Sequence, residues 1–278
     1  YDDPEKMAES VEQATGEESA RILSYLRRSE KLYDNVASVF LNHSLHKRRT
    51  WMNRRIVRAL RAIRFPYLFR TLNDYNSSVF KTPEVRQLFN RYATYNGSNP
   101  YKAPGMLSLI PHLEHNQGSF YPKGGMISIT NALYALALRK GVRFEFNAQV
   151  ERIIHTEARV KGIVVKNENV FADDVVTNAD IYFTYKQLLK HDVKAQKVLK
   201  QERSSSALIF YWGIGKKFDQ LSLHNIFFSG NYHREFDQIF NKRTIADDQT
   251  VYVNITSKMD PLHAPAGKEN WFVMVNVP

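Results

Sequence analysis

Tyr121-Pro122-Lys123-Gly124-Gly125-Met126, with the run from Ile127 to Val165 behind it, decides how this chain reads. The glycine pair stands directly before an apolar pattern at helical spacing, which stops at Gly141. Strand-like runs follow at Val142–Phe146, Val150–Ile154 and Gly162–Val165. The predicted order is loop, Gly-Gly, helix, strand, hairpin. Two adjacent glycines let the backbone approach something flat or bulky, because no Cβ stands in the way. A helix starting just after them directs its N–H groups and the positive end of its dipole into the same space. On spacing alone a plain turn also accounts for the pair.

Outward from this stretch, the chain changes character twice. Before it, the pattern is almost entirely helical. Residues 1–20 are acidic and poor in large apolar side chains, as a solvated helix or a partly disordered segment would be. Ile22, Leu23, Leu26, Leu32, Val36 and Phe40 recur at helical spacing. Thr82-Pro83-Glu84 predicts a helix start, with Thr82 as N-cap, and Gly97 ends that element. Ala103 to His115 predicts a further helix. After Gly125, Ile127 to Lys140 predicts a helix with Ala132, Leu133, Leu136 and Ala137 inward. Val142, Phe144 and Phe146 alternate with charges as a half-buried strand does. Val150–Ile154, Gly162–Val165 and Val170–Ala172 read as a small antiparallel meander turning at Asn167-Glu168-Asn169. Val175-Val176-Thr177 reads as a short buried strand, and Ile181 to Lys200 as helix.

The last third is strand-rich. Ala207 to Ile214 puts Leu208, Phe210, Trp212 and Ile214 on one face, and Asn225–Phe228, Thr250–Ile255 and Trp271–Val277 are further strands. Tyr232 to Phe240 reads as helix. The fold class expected is α+β: a mostly helical first half plus a mixed sheet, with the small meander beside them. No repeat and no low-complexity tract interrupts the pattern.

Composition bounds the function. The chain has 278 residues, 43% hydrophobic and 24% charged, enough for one large or two modest domains with a sizeable core. It has no cysteine, which excludes disulfides, thiolate catalysis and Cys-ligated metals. No apolar run has the length of a membrane span, and no secretory signal stands at the start, so cytoplasm is the expected compartment. A formal net charge of +11 points to an anionic partner, nucleic acid or a membrane surface. The first residue is Tyr1, and the final "WFVMVNVP" reads as a strand stopped midway, so an internal fragment of a longer protein is expected.

The charge concentrates in Lys47 to Arg70, where no acidic residue falls between Asp34 and Asp74. Arg54, Arg55, Arg58 and Arg61 crowd this segment, while Met52, Ile56, Leu60 and Ile63 form an apolar stripe. A cationic face opposite an apolar face, with flanking aromatics, fits a helix lying in a membrane interface. A surface helix packed on the domain with a solvated basic face fits too. A nucleic-acid-binding role would leave the apolar stripe unused, and no nucleic-acid fold signature accompanies it.

Catalytic motifs are absent. There is no G-x-G-x-x-G, H-E-x-x-H, G-x-S-x-G or P-loop, and Gly213-Ile214-Gly215 lacks the third glycine. His43 and His46 read as surface rather than metal ligands, so no metal is expected. Asp173-Asp174 and Asp247-Asp248 read as exposed turns. No catalytic acid, base or nucleophile can be named from the residues.

The ordered series "FYPKGGMISITNALYALALRKGVRFEFNAQVERI" and "DDVVTNADIYFTYKQLL" resembles the bacterial-type carotenoid desaturases, the phytoene desaturase family within the flavin-dependent amine oxidases. "LFNRYATYNGSNPYKAPGMLSLI" is similar to the hydroxycarotenoid branch. The similarity is clear from about Asn73 to Leu189. It implies an FAD-dependent desaturase that removes hydride from a long apolar polyene and introduces C=C bonds, working as a peripheral protein on an anionic membrane surface, without nucleic acid. It places Gly124 and Gly125 by the isoalloxazine ring, Val150 at the adenine end, and Asn178 and Ala179 beside the cofactor. By the same resemblance, residues 1–120 form a helical substrate and membrane region, 121–180 part of the FAD-binding domain, and 181–278 the sheet of the substrate domain. In the family a dinucleotide fingerprint precedes the equivalent of Tyr1 and a Gly-rich flavin motif follows that of Pro278. Their absence from the 278 residues puts FAD retention by this chain alone in question. Another amine-oxidase-like flavoprotein, such as a protoporphyrinogen or amine oxidase relative, is the alternative. A basic membrane- or nucleic-acid-binding module without catalysis is the other.

Overall fold

A computed structural model describes residues 3–40, 44, 47, 67, 69–156, 159–190, 192 and 195–278. Arg54, Arg55, Ile56, Arg58, Leu60 and Arg61, the proposed interfacial residues, lie outside the described residues, as do His43 and His46. Two units divide the chain. The first comprises residues 1–128 and 204–278, the second 129–203.

Helices and one sheet build the first unit. α1 (Pro4–Thr15) starts where the Asp3 side chain accepts from the Glu5 and Lys6 N–H groups, as an N-cap should. α2 (Ser19–Phe40) buries Ile22, Tyr25, Leu26, Leu32 and Val36, the face its helical spacing predicts. Against it pack α3 (Leu72–Val79) and α4 (Pro83–Asn90), supplying Phe80, Val85 and Phe89. The Tyr25 ring lies 4.7 Å from Phe89, and Phe80 stacks on Phe89 at 4.7 Å. A buried polar thread crosses this core. Tyr25 donates to Asn76 at 2.8 Å, Asn76 to Asn90 at 2.8 Å and Asn90 to Asn73 at 2.9 Å. Each buried polar group is thereby paired, which avoids the desolvation cost of leaving one unmet.

Thr82 stands at the N-cap of α4 as expected, but its side chain does not cap. It donates instead to Glu17 Oε2, which also accepts from the Lys81 and Thr82 N–H groups. A carboxylate from the loop between α1 and α2 thus competes with the local cap. The helix expected over Ala103–His115 is split into a 3-10 turn, Gly105–Leu109, and a short α5 (Ile110–His115), with Pro111 in its first turn.

The sheet of this unit has strand order β4-β7-β6-β5, formed by β4 (Ser206–Ile214), β5 (His224–Phe227), β6 (Val251–Asn254) and β7 (Glu269–Val277). The α+β class stands, but every pairing in this sheet is antiparallel where a mixed sheet was expected. Leu208, Phe210, Trp212 and Ile214 share one face with Val275, Val273, Trp271 and Glu269 across the register. Central Val253 and Val273 are buried with Ile255, while β4, at the edge, keeps Leu208, Phe210 and Trp212 partly exposed. α9 (Tyr232–Asp237) and a π turn, Gln238–Lys242, replace the single helix expected to Phe240.

The second unit contains most of α6 (Ile127–Arg139), the meander β1 (Val150–His155), β2 (Val160–Val165) and β3 (Glu168–Phe171), α7 (Ile181–Phe183) and α8 (Ala195–Leu199). The meander is antiparallel as expected. Lys166 and Asn167, at φ 51° and 63°, make the two-residue turn between Val165 and Glu168, the backbone a tight hairpin needs. Four expectations fail here. Val142–Phe146 forms no strand; Gly141 turns the chain, and Phe144 and Phe146 lie 4.6 Å and 6.2 Å from the Tyr134 ring of α6. The apolar residues pack back on the helix they follow, which satisfies the alternation without a ladder. Val175-Val176-Thr177 is irregular, with Val176 94% exposed. No residue of α6 is buried, so Leu133 and Leu136, expected inward, are exposed. The helix expected over Ile181–Lys200 is broken by a π turn at Thr184–Leu188.

Gly162 shows how tightly the meander is set. At φ +148° its missing Cβ would stand 2.1 Å from the Val170 carbonyl oxygen. Gly162→Ala is therefore expected to cost about 3 kcal/mol, from strain and broken β2–β3 pairing. Thermal denaturation monitored on this unit checks it; a loss below about 1 kcal/mol would show that the hairpin slides to make room.

Candidate functional site at the Gly124-Gly125 loop

The loop at Gly124-Gly125 is a turn closed by Gly125 N–H donating to the Pro122 carbonyl at 2.9 Å. Both glycines lie in the left-handed region, at φ 82° and 80°. Ser128 then bonds back to the Gly125 carbonyl through its N–H at 3.0 Å and its hydroxyl at 2.8 Å. Two of the N–H groups near the start of α6 are thus used within the turn rather than held open.

The two glycines do different work. Gly124 is exposed, and a Cβ there would meet only the Ser128 side chain, at 3.9 Å. It presents bare backbone to open space, which suits the close approach of a flat ring. Gly125 is buried, and a Cβ there would stand 3.2 Å from His263 Cε1 and 3.5 Å from the Tyr121 hydroxyl. A side chain there would be strained at this φ, and the imidazole that covers the position would have to give by a few tenths of an ångström.

His263 comes from a 3-10 turn, Pro261–His263, capped by Asp260, whose side chain accepts from the Leu262 N–H at 3.0 Å. Its Nδ1 lies 3.1 Å from the Tyr121 hydroxyl and 2.9 Å from Thr256 Oγ1. Its Nε2 faces Asp260 Oδ2 at 3.6 Å. Thr256 Oγ1 accepts from Asn270 Nδ2 at 2.6 Å. The chain of contacts runs from the loop to β7, where Asn270 pairs with Gly213. Beyond Asn270 on the same face come Phe272 and Met274 of β7. Tyr211 and Tyr252 flank Phe272 at ring distances of 5.5 Å and 6.4 Å. An imidazole held by a phenol, a hydroxyl and a carboxylate can take up or pass a proton.

A second polar cluster lies in the same unit. Arg91 binds Glu114 at 2.8 Å, and Tyr95 donates a short bond to the other Glu114 oxygen. Tyr92 bonds His115 at 2.8 Å. Burial pushes the Glu114 carboxyl up, but Arg91, the Tyr95 hydroxyl and His115 outweigh it, and the net shift is downward. Burial raises the Tyr92 phenol well above its usual range. His224 bonds the Tyr252 hydroxyl at 2.7 Å, and burial lowers its pKa.

The structure places the expected cofactor residues in both units. Gly124 and Gly125 belong to the first. Val150 opens β1, paired with Val165, and Asn178 and Ala179 precede α7 in the second. The Ala179 N–H bonds Thr177 Oγ1 at 3.2 Å. Asp247 and Asp248, expected as turn residues, anchor the chain: Asp247 accepts from Arg234 and Gln238, Asp248 from the Gly230 N–H. Among the described residues no cluster of His, Asp and Glu could hold a metal, and no helix is long and apolar enough to cross a membrane. Sequence reasoning missed His263, Asp260, Thr256 and Asn270, because nothing local links them to Tyr121.

Comparison with known proteins agrees with these observations. Residues 13–209 match the family of flavin containing amine oxidoreductases. The chain belongs to that family, and the resemblance to carotenoid desaturases is borne out. A 1-hydroxycarotenoid 3,4-desaturase of Flavobacterium sp. (strain P99-3) is 48% identical over 99% of this chain and 56% of its own length. A zeta-carotene-forming phytoene desaturase of Myxococcus xanthus is 31% identical over 98% of this chain and 52% of its own. The chain spans about half the length of these relatives. A solved oxidoreductase from Methanosarcina mazei matches in fold, with a TM-score of 0.55 at 17% identity, over 75% of this chain and 47% of that one.

Proposed function

We propose that the protein carrying this chain is an FAD-dependent carotenoid desaturase, phytoene dehydrogenase-like, acting on a long apolar polyene. The observation that carries this reading is the 48% identity, along nearly the whole chain, to a hydroxycarotenoid desaturase. Two structural features support it. Gly124 presents bare backbone with room beside it, as a flat cofactor ring requires. The edge strand β4 carries Leu208, Phe210 and Trp212 on one face and Ile209 and Tyr211 on the other, all of them exposed. A polyene offers nothing to hydrogen-bond along its length, so such apolar walls are what can hold it.

The assignment of roles follows. Residues 121–180 belong to the FAD-binding domain, with Val150 toward the adenine end and Asn178 and Ala179 beside the cofactor. Residues 1–120 and 181–278 serve the substrate. When bound, the flavin supplies the two-electron acceptor; this chain orients the polyene, excludes water and holds protons near the loop. The protein is a cytoplasmic, peripheral membrane protein that draws its substrate from an anionic membrane surface, without nucleic acid.

The test supplies the protein with FAD and an acyclic carotenoid dispersed in lipid. Each added C=C lengthens the conjugated system and moves its absorption to longer wavelength. Oxidation of a protoporphyrinogen or an amine, with no change in any carotenoid, would replace this reading. The 278 residues alone are expected to retain no stoichiometric flavin. They contain no G-x-G-x-x-G, the loop whose N–H groups hold a pyrophosphate. Visible absorbance of the purified, desalted chain checks this, and a stoichiometric flavin spectrum would refute it.

A further inference from the structure

Asp260, His263 and Tyr121 follow one another beside Gly125, the buried glycine of the loop. Asp260 faces His263 Nε2, and Tyr121 faces His263 Nδ1. A carboxylate on one side of an imidazole favours the tautomer that carries its hydrogen there, leaving the other nitrogen as acceptor. Nδ1 is then the acceptor that the Thr256 hydroxyl, at 2.9 Å, and the Tyr121 hydroxyl, at 3.1 Å, share. The His263 side chain is 26% exposed and that of Asp260 17%, so both are held largely out of water. The imidazole lies against Gly125, 3.2 Å from where a Cβ would stand. The groups facing His263 are Tyr121, Thr256 and Asp260; Asn270 reaches it through Thr256. None of these residues has a part in holding the fold's main core, which lies among α2, α3 and α4.

We propose that Tyr121, His263 and Asp260 form the proton relay that completes desaturation at this site. The inference rests on reading Gly124-Gly125 as the flavin loop. The chemistry needs such a group. Desaturation breaks two C–H bonds. A bound flavin would supply the two-electron acceptor for the hydrogen that one carbon loses with its electron pair. The neighbouring carbon then gives up a bare proton, and its C–H electron pair becomes the new π bond. A proton beside an electron-deficient allylic carbon is acidic enough for a neutral base. The Tyr121 oxygen accepts it while the Tyr121 hydroxyl proton moves to His263 Nδ1. The resulting imidazolium is stabilised by Asp260, the arrangement by which a third group supports a base. His263 and Asp260 are positioning residues acting through Tyr121.

The experiment compares Tyr121→Phe, His263→Gln, Asp260→Asn and Tyr121→Phe/His263→Gln in the flavin-loaded protein that carries this chain, not in the 278 residues alone. Y121F and H263Q are each expected to lower kcat by about 100- to 1,000-fold, with KM little changed. The double variant should be no slower than the slower single variant, because the groups act as a unit. The acid limb of the pH–rate profile should disappear in H263Q, and D260N should lower kcat about tenfold. Added imidazole should restore part of the rate of His263→Ala. Independently of activity, nitrogen NMR of the wild-type ring should show the hydrogen at Nε2, with the Nδ1 signal moving in Y121F. An unmoved acid limb in H263Q, with loss confined to KM or thermal stability, would make His263 a structural support of the loop and overturn the relay. A Gly124→Val variant separates this from failure of the flavin reading. If G124V leaves the flavin's visible spectrum and content unchanged, the loop does not touch the flavin. If it alters them while H263Q keeps full kcat, the relay alone is wrong.

Discussion

Glu235→Ala is expected to lower the stability of the first unit by about 4 kcal/mol. Glu235 is 1% exposed and stands in the first turn of α9. Its Oε1 accepts from the Thr250 N–H at 2.9 Å. Its Oε2 accepts from the Ser229 and Thr250 hydroxyls, each at 2.7 Å. Ser229 follows β5 and Thr250 precedes β6, so one carboxylate ties both strand ends to the helix. Gln87 of α4 donates to the Ser229 carbonyl at 2.9 Å, which extends the knot to the helical layer. Alanine would strand three buried donors and leave a cavity. Bonds to a charged acceptor contribute about 1.5–3 kcal/mol each, and an unmet buried donor costs about 1–3 kcal/mol. Glu235→Gln should cost only about 1 kcal/mol. With its oxygen toward the Thr250 N–H, its amide nitrogen meets two hydroxyls that can rotate to accept. The urea midpoints of the two variants check this. Equal losses for Ala and Gln would show that charge, not donor satisfaction, sets the energy. A loss below about 1 kcal/mol for Ala would sink the argument.

Reversing Arg54, Arg55, Arg58 and Arg61 to Glu is expected to weaken binding to anionic vesicles by about a thousandfold. Each cation near such a surface contributes about 1 kcal/mol, and four lost together come to roughly three decades of affinity. The fold should survive, since the segment carries its charge in a block with no acidic partner between Asp34 and Asp74. Ile56→Ser with Leu60→Ser separates insertion from plain attraction. Salt screens the arginines but leaves an apolar term, so the Ser pair should weaken the binding that persists at high salt. Co-sedimentation with vesicles of anionic lipid, across a salt series, measures both. If the Ser pair unfolds the protein while its folded fraction binds vesicles unchanged, the stripe belongs to the core.

How much was legible follows the range of each interaction. α2, α6, β4 and the three-stranded meander stand where their periods predict, because a period of 3.6 or 2 is a local property. Val142, Phe144 and Phe146 show the limit. Their alternation is that of a strand, yet no strand pairs with them among the described residues, and their rings fold onto Tyr134 instead. Alternation records which side chains seek cover, not what covers them. Thr82 shows the same limit at a helix start. The position was legible, but a carboxylate 65 residues away took its hydroxyl.

By itself, then, the sequence determined the α+β class, the Gly-Gly loop before α6, the absence of a self-sufficient catalytic motif and the likeness to carotenoid desaturases. Tertiary structure alone decided that β4 pairs with β7 rather than with its neighbour β5, and that the large sheet is antiparallel throughout. It alone set His263 against Gly125, with Tyr121 142 residues away in sequence on its Nδ1. The physical reason is that local propensity fixes φ and ψ over a few residues. Which distant groups meet depends on how the whole chain closes, and no pattern within a short window records that closure.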